Sequence, residues 1–174
     1  MSKDLINFIQ EIKESNLTMT NKHLVQITPC NLMKNHSVNN DRLILYCDKV
    51  TLPGSTFVSQ PLKFFGEVIE RPNEKTYNTV TLSFLVDGEL DIKHYFDTWI
   101  SSIINPITRT ISYYDDYIST IDINLTENNE IRYRTTLFEA YPKTINDIEL
   151  DYASAEIMRL SITLTYRYFE STKQ

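Results

Sequence analysis

Apolar and polar side chains alternate along several stretches of the chain, as they do in β-strands that bury one face. The clearest case lies at residues 76–86, where Val80, Leu82 and Phe84 alternate with hydroxyl side chains. Alternation, in contrast to continuous apolar runs, favours antiparallel strands with one polar face. Further strands are predicted at residues 24–27, 42–47, 118–125, 131–139 and 156–169, the last being the longest.

Apolar side chains recur at helical spacing in two other segments. In residues 91–104 they form a single stripe that must cover an apolar sheet face or a partner. We expect a packed helix here, with Asp91 as its N-cap and Pro106 just beyond its end. The stripe consists of Ile92, Tyr95, Phe96, Trp99 and Ile103. Residues 3–15 have similar spacing and predict a short helix within an N-terminal arm, residues 1–22.

The segments between these elements differ sharply in polarity. Residues 31–40 are polar and rich in asparagine, which predicts a loop. Leu52, Pro53 and Gly54 fit a type II turn, with proline and glycine at its two central positions. Residues 55–73 contain two prolines and a glycine and are predicted to be irregular, yet they are heavily apolar for a loop. Long ordered loops are usually functional, and this one is too hydrophobic to be disordered.

Together these patterns predict a mainly β fold. We expect an antiparallel β-sandwich or barrel of about six strands, with one packed α-helix and a short N-terminal helix. The 174 residues suffice for one domain with a sizeable core, and no repeat or internal boundary is visible. The β domain is predicted to span residues 23–174.

Charge and composition then exclude several classes of protein. The net charge is −6, without a block of consecutive lysine or arginine, so tight binding to nucleic acid is disfavoured. The first residues do not resemble a signal peptide, and no apolar run approaches the roughly 20 residues that span a bilayer. Cys30 and Cys47 fit no metal spacing and are expected to be reduced thiols. The chain is therefore expected to fold in the cytoplasm and not to enter a membrane.

No residue pattern in the sequence predicts catalysis. His23 lies at the start of a predicted strand, His36 in the predicted polar loop and His94 on the predicted core helix, so no two of them share a predicted element. The sequence also contains no Gly-x-Ser-x-Gly motif. The close carboxylate pairs Asp115–Asp116 and Glu89–Asp91 are expected on any acidic surface. We therefore expect no enzyme activity, no metal and no cofactor. A monomeric β domain that binds or hydrolyses carbohydrate is an alternative from a different class.

The polar faces of the predicted strands are long and rich in hydroxyl groups. Such a face is either an ordinary exposed sheet or the wall of a channel, made when the sheet continues across subunits. The candidate channel-lining residues are Thr79, Thr81, Thr120, Asp122 and Asn124.

The order of several short motifs resembles that of the tail tube proteins of contractile-tailed bacteriophages. The segment C-D-K-V-T-L-P-G at residues 47–54 is similar to the family's C-K-A-x-x-L-P, and Phe96 and Trp99 form an F-x-x-W pair. Residues 137–142 are similar to L-x-x-x-x-P, and residues 148–151 to L-x-L-D. The sequence at the end of the last predicted strand is also similar to the sequence that ends the family's last strand. The resemblance covers roughly residues 23–170 and depends on the order of these motifs, because each of them alone is weak.

The resemblance implies hexameric rings that stack into a hollow tube, with strands of all subunits joined in one inner barrel. Tail sheath and baseplate proteins would be partners, and DNA would pass through without tight binding. The protein would belong to the virion tail after assembly in the bacterial cytoplasm. A baseplate or tail-completion protein that initiates the tube is the alternative with the same fold. The implied contacts between subunits or rings are Leu52, Pro53, Gly54, Phe57, Phe64, Phe65 and Val68.

Overall fold

The computed structural model describes residues 21–34, 40–127, 130–153 and 156–173. The nine strands within these ranges are β1 (His23–Ile27), β2 (Cys47–Val50), β3 (Ser55–Phe64), β4 (Glu67–Tyr77), β5 (Val80–Leu85), β6 (Ser119–Glu127), β7 (Glu130–Ile145), β8 (Arg159–Thr165) and β9 (Tyr168–Lys173). The helices in the same ranges are α1 (Asn40–Tyr46), α2 (Asp91–Ile103) and the single turn α3 (Tyr114–Tyr117), with a 3₁₀ turn at Asn31–Met33. The predicted N-terminal helix and arm lie outside the described residues up to residue 20, as do residues 35–39 of the polar loop.

Seven strands form one antiparallel sheet in the order β1-β6-β7-β8-β5-β2, and β9 pairs with β7. The predicted mainly β, antiparallel fold is therefore confirmed, although the described part of the chain has nine strands instead of about six. β3 and β4 form a separate two-stranded sheet.

β7 joins the two halves of the large sheet. Its first part pairs with β6 and β9, and its last part pairs with β8. Between these parts, Glu139 has a left-handed backbone (φ 54°), opposite a register shift between Ser119 and Ile121. A bulge of this kind bends a strand and increases its twist. The carboxylate of Glu139 accepts hydrogen bonds from the Tyr114 hydroxyl at 2.8 Å and from Arg167 at 2.9 Å, which holds the bend.

Two predicted boundaries are corrected by this bend. β7 continues to Ile145, although Pro142 had indicated a break after Tyr141. The segment predicted as one long strand at residues 156–169 is instead two strands, β8 and β9. They follow the same edge of β7 in succession and separate where β7 bends.

The core lies against α2. Phe96 packs on Phe84 of β5, with their ring centroids 5.4 Å apart, and stacks on Trp99 at 6.2 Å. The Trp99 indole is completely buried and donates its Nε1–H to the carbonyl of Tyr117 at 3.0 Å. Tyr95 is also buried, and Ile103 packs at the margin of the core. The predicted helix at residues 91–104 is thus present as α2.

The start of α2 differs in detail from the expectation. Asp91 is the first helical residue, and Leu90 precedes it in a left-handed conformation (φ 59°). The capping carboxylate belongs to Asp87, whose Oδ1 accepts the Asp91 N–H at 3.2 Å.

Residues 42–47 were predicted to be a strand, and this prediction is wrong, because residues 40–46 form the helix α1. A short apolar run has the same appearance in a strand and in a buried helix. α1 lies against β1 and buries Leu43 completely, while Leu45 remains exposed. Arg42 reaches from α1 to Asp91 at 2.8 Å and ties the two helices together.

Residues 55–73 were predicted to be irregular, and this is also wrong, because β3 and β4 form a continuous hairpin there. The predicted strand at residues 76–86 is divided between the end of β4 and β5. Proline is tolerated in sheets mainly at edges, where its missing N–H removes no ladder hydrogen bond. A two-stranded sheet consists of two edge strands, so Pro61 and Pro72 can both be accommodated.

Candidate assembly surfaces

The β3–β4 hairpin projects from the body with both of its faces exposed. Apart from Tyr77 at its base, every described side chain along it is exposed. The exposed apolar side chains of the hairpin are Phe57, Val58, Leu62, Phe65, Val68 and Ile69. An isolated two-stranded hairpin is marginally stable in water at best. This surface therefore has the character of an interface that another polypeptide covers.

The hairpin tip has an unusual turn. Phe64 is directly opposite Glu67, so the turn has two residues, Phe65 and Gly66. Both have positive φ, 45° and 94°, as a type I′ turn requires. Glycine adopts this conformation freely, but a bulky residue such as phenylalanine rarely does. Phe65 is also fully exposed, so a large apolar ring is held at the tip in a strained conformation.

The Leu52–Gly54 segment leads into the base of this hairpin. The predicted type II turn is wrong, because Gly54 does not have the positive φ that its second central position requires. The carbonyl of Gly54 accepts the Asn78 N–H at 3.0 Å, which closes the ribbon where it leaves the body. A Cβ at position 54 would lie 3.1 Å from the Asn78 side chain, so the segment has little room for a larger residue. Leu52 is exposed, while Pro53 and Gly54 are half-buried.

An aromatic cluster fastens the hairpin to the sheet. Tyr77 packs against Tyr166 at 6.0 Å and against Phe169 at 5.6 Å between ring centroids. The buried Tyr166 hydroxyl donates a hydrogen bond of 2.6 Å to the carbonyl of Asn78. The hairpin is thus held to the sheet at its base, whereas its tip is exposed.

The polar faces of the large sheet contain most of the predicted channel-lining residues. Thr120, Asp122 and Asn124 lie on β6, and Thr81 lies on β5 in the other half of the sheet. Thr79 precedes β5 and belongs to no strand. Asn124 is buried and accepts a hydrogen bond from Arg134 at 3.1 Å, so it is a less open part of the face than the sequence suggested.

Strand pairing aligns these polar residues in rows across the first half of the sheet. One row runs through Gln26, Asp122, Thr136 and Glu170, on β1, β6, β7 and β9. The hydroxyl of Thr136 donates to the carboxylate of Asp122. The result is a mainly polar face four strands wide, with the exposed Leu24 among its polar residues, opposite the apolar face that contacts the core.

A second apolar surface, which the sequence analysis did not single out, lies between β7 and β8. It comprises the described residues of 146–158, which we call the acidic segment, and it exposes Leu150, Tyr152 and Ile157. A cleft of about 400 Å³ separates part of this segment from α2. The alternation of acidic and apolar residues at 147–151 was the available signal in the sequence.

In the ranges that the structure covers, one acidic cluster has the side chains to hold a metal ion. Asp87, Glu89 and Asp91 bring three carboxylates within 4.8 Å of one another. Arg42 contacts all three, at 3.5, 3.6 and 2.8 Å, and supplies the positive charge that such a group requires. This cluster therefore works as a clamp between α1 and α2. None of the helices described by the structure is long and apolar enough to cross a membrane.

The two thiols lie in settings that suppress their reactivity. Burial raises the pKa of the Cys47 thiol to about 12, and burial also raises that of Cys30. Thiols react as thiolates, so both cysteines are chemically quiet at neutral pH.

Comparison with known proteins places this fold among tube-forming proteins. A chain of the sheath–tube complex of an extracellular contractile injection system (PVC), in its extended state, superposes with a TM-score of 0.67 at 15% identity, covering 95% of this chain and 97% of that one. The tube-terminating cap of the anti-feeding prophage gives 0.68 at 17% identity, covering 92% and 93%. A chain of the anti-feeding prophage baseplate gives 0.67 at 16% identity, covering 91% and 97%.

The sequence itself gives the family. The family model of the phage tail tube protein matches residues 17–172. No curated protein matches the chain significantly in sequence. The chain belongs to the phage tail tube protein family, and it is a structural component of a tail tube.

Proposed function

We propose that this chain forms rings that stack into the hollow tube of a phage tail, through which DNA passes without tight binding. The rings are hexameric and assemble in the bacterial cytoplasm. The tail sheath encloses the tube and a baseplate begins it. The chain works as a structural subunit and not as an enzyme.

The observation that carries this proposal is the exposed hairpin β3–β4. Its apolar side chains are exposed and do not belong to the hydrophobic core, which is formed by other residues of the domain. Exposed apolar patches of this kind mark sites of protein association. Contact with a neighbouring subunit or ring would cover Phe57, Val68 and Phe65, and the strained turn at the tip is consistent with a functional site.

The large sheet supports a continuous inner barrel. β1 and β2 lie at the two ends of the strand order, and among the described residues each pairs with one strand and has a second edge without a partner strand. Exposed edges readily pair with another chain, and closing a ring of subunits into a barrel removes them.

The polar face of the same sheet suits the wall of a DNA channel. It presents hydroxyl, amide and carboxylate groups, among them Thr120, Asp122 and Glu170. A wall with few free cations does not hold phosphates, and the net charge of −6 adds a weak repulsion. DNA can then slide past without adhering.

Assembly can be tested by negative-stain microscopy and sedimentation of the purified protein. We expect hollow rings and tubes, and we expect the double variant Phe57→Ser with Val68→Ser to lose the tubes. The control is Ile107→Ser, which alters an apolar residue in the loop after α2 that is more exposed than Phe57 and Val68. A wild-type protein that stays monomeric at high concentration would overturn the proposal, as would hairpin variants that still form tubes. Rings that never stack would instead support the tube-initiating role.

A further inference from the structure

The acidic segment has the apolar character expected of a surface that receives a partner. The adjoining cleft is lined by the apolar residues Leu90, Ile145, Ile148, Leu150 and Met158, together with Asn146, Asp147 and the ion pair of Lys93 with Asp97 on α2. Ile145 and Ile148 also pack against the core. Leu150 is 80% exposed and Ile157 is 67% exposed, so these two apolar side chains face outward, as those of the hairpin do.

The charge of the acidic segment is one-sided. Asp147, Glu149, Asp151 and Glu156 contribute four negative charges, and residues 146–158 contain no lysine or arginine. A surface that combines exposed apolar groups with charge of one sign favours a partner that is apolar and carries the opposite charge.

One face of the β3–β4 hairpin has this composition. Directly opposite residues share a face of a two-stranded sheet, so Phe57 lies beside Lys75, and Lys63 lies beside Val68. The same face includes Glu70, whose carboxylate accepts a hydrogen bond from Ser59 at 3.1 Å. Two lysines thus flank apolar side chains along this lysine-bearing face, with a single acid between them.

The hairpin and the acidic segment lie at opposite ends of the same strands. The hairpin leaves the body beside Val80, which is paired with Leu164. The acidic segment joins the body at the other end of these strands, where Leu85 is paired with Arg159. The five steps between these ends amount to about 17 Å. A chain therefore has a projecting apolar element at one end of β5 and β8 and an apolar, acidic receptor at the other.

We infer that the lysine-bearing face of the hairpin docks on the acidic segment and cleft of a second copy of this chain, in the next ring. This inference rests on the proposed function and names the receiving surface for the stacking contact. Because the two surfaces differ and lie at opposite ends, the contact is heterologous and repeats without closing on itself. Each added ring then presents the same free surface as the one before it.

Repetition around a ring makes a modest contact sufficient. All subunits of one ring meet the next ring at once, so individually weak contacts combine into a stable stack. Electrostatic complementarity also favours this orientation, because two acidic segments would repel each other, whereas the lysine-bearing face attracts the acidic segment.

Reversing the charges tests the contact. The first variant, Lys63→Glu with Lys75→Glu, has an acidic hairpin and an acidic segment. The second, Asp147→Lys with Glu149→Lys and Glu156→Lys, leaves three lysines and one acid in the segment, so the segment and the lysine-bearing face of the hairpin are both positive. We expect each variant alone to form rings but to stack at least about tenfold less than the wild type, since like charges meet. We expect an equimolar mixture to form tubes again, because every junction between unlike rings joins opposite charges.

The controls separate this inference from the proposed function. Lys22→Glu with Lys143→Glu makes the same change in net charge as the hairpin variant but lies away from it, and should form tubes normally. A wild-type protein without rings or tubes would overturn the proposed function. Tubes from the wild type together with undiminished stacking by either charge variant would overturn only the docking inference. Failure of both the mixture and the combined five-residue variant to restore tubes would also overturn it.

Discussion

Truncating Trp99 to alanine should destabilise the domain more than any change at an exposed aromatic residue. The side chain is completely buried between Phe96 and Tyr95, and its Nε1–H donates to the carbonyl of Tyr117. Removing a buried aromatic ring costs about 3–5 kcal/mol, and leaving an acceptor without its donor costs about 1–3 kcal/mol. We therefore expect a loss of at least about 4 kcal/mol in the free energy of unfolding.

A second variant separates the two contributions. Trp99→Phe retains a ring beside Phe96 but removes the donor to Tyr117, so it should lose about 1–3 kcal/mol. For a domain of this size each kcal/mol corresponds to about 2–4 °C in Tm, so the alanine variant should melt roughly 10–20 °C below the wild type. Urea and thermal unfolding followed by far-UV circular dichroism, on dilute unassembled protein, would measure both changes.

An exposed aromatic residue provides the control for Trp99. Tyr113 lies just before α3 with most of its side chain in solvent, so Tyr113→Ala should change stability by no more than about 0.5 kcal/mol. A loss of less than about 1 kcal/mol in Trp99→Ala would refute the placement of this residue at the centre of the core. Equal losses in Trp99→Phe and Trp99→Ala would refute the separate cost of the ring.

Three further predictions concern the hairpin base, the bend in β7 and the thiols. Tyr166→Phe should lose about 1–2 kcal/mol, measured by urea unfolding, because the Asn78 carbonyl loses its buried donor; an unchanged midpoint would contradict this. The hydrogen bonds from Tyr114 and Arg167 hold the pKa of the Glu139 carboxyl below its ordinary value of 4.5. The stability that Glu139 contributes is therefore fully present above pH 4.5 and is lost as the pH falls through the lower pKa of the folded state. The Tm of the wild type should therefore fall more steeply below pH 4.5 than that of Glu139→Gln. Parallel plots of Tm against pH for the two proteins would count against this role of Glu139. Cys30 and Cys47 should resist a thiol reagent such as DTNB at pH 8 until the protein is unfolded in urea, and rapid reaction of the native protein would show that they are accessible.

The elements that could be predicted from the sequence are those whose periodicity reflects a single buried face. α2 places its apolar stripe on one side for three turns, and no strand accommodates that spacing. β5 and β6 alternate cleanly because one face of each contacts the core and the other is polar. Their existence and type follow from local pattern alone.

The errors fall where tertiary context outweighs the local pattern. Pro61 and Pro72 indicate irregular structure by every local rule, but an isolated ribbon of two edge strands tolerates them. Residues 42–47 are too short a run to distinguish strand from helix, and contact with β1 decides for the helix α1. Pro142 does not end β7, because β8 pairs with the strand on both sides of it.

The candidate assembly surfaces also have some features that the sequence predicts and others that only the structure shows. The apolar load of residues 55–73 and the polar faces of the strands are properties of composition, and from these the sequence alone indicates an assembling protein without catalytic chemistry. The positions of the hairpin and the acidic segment at opposite ends of β5 and β8 are not visible in the sequence. Antiparallel pairing brings residue 80 to 164 and residue 85 to 159, and only these long-range contacts decide which surfaces face opposite directions.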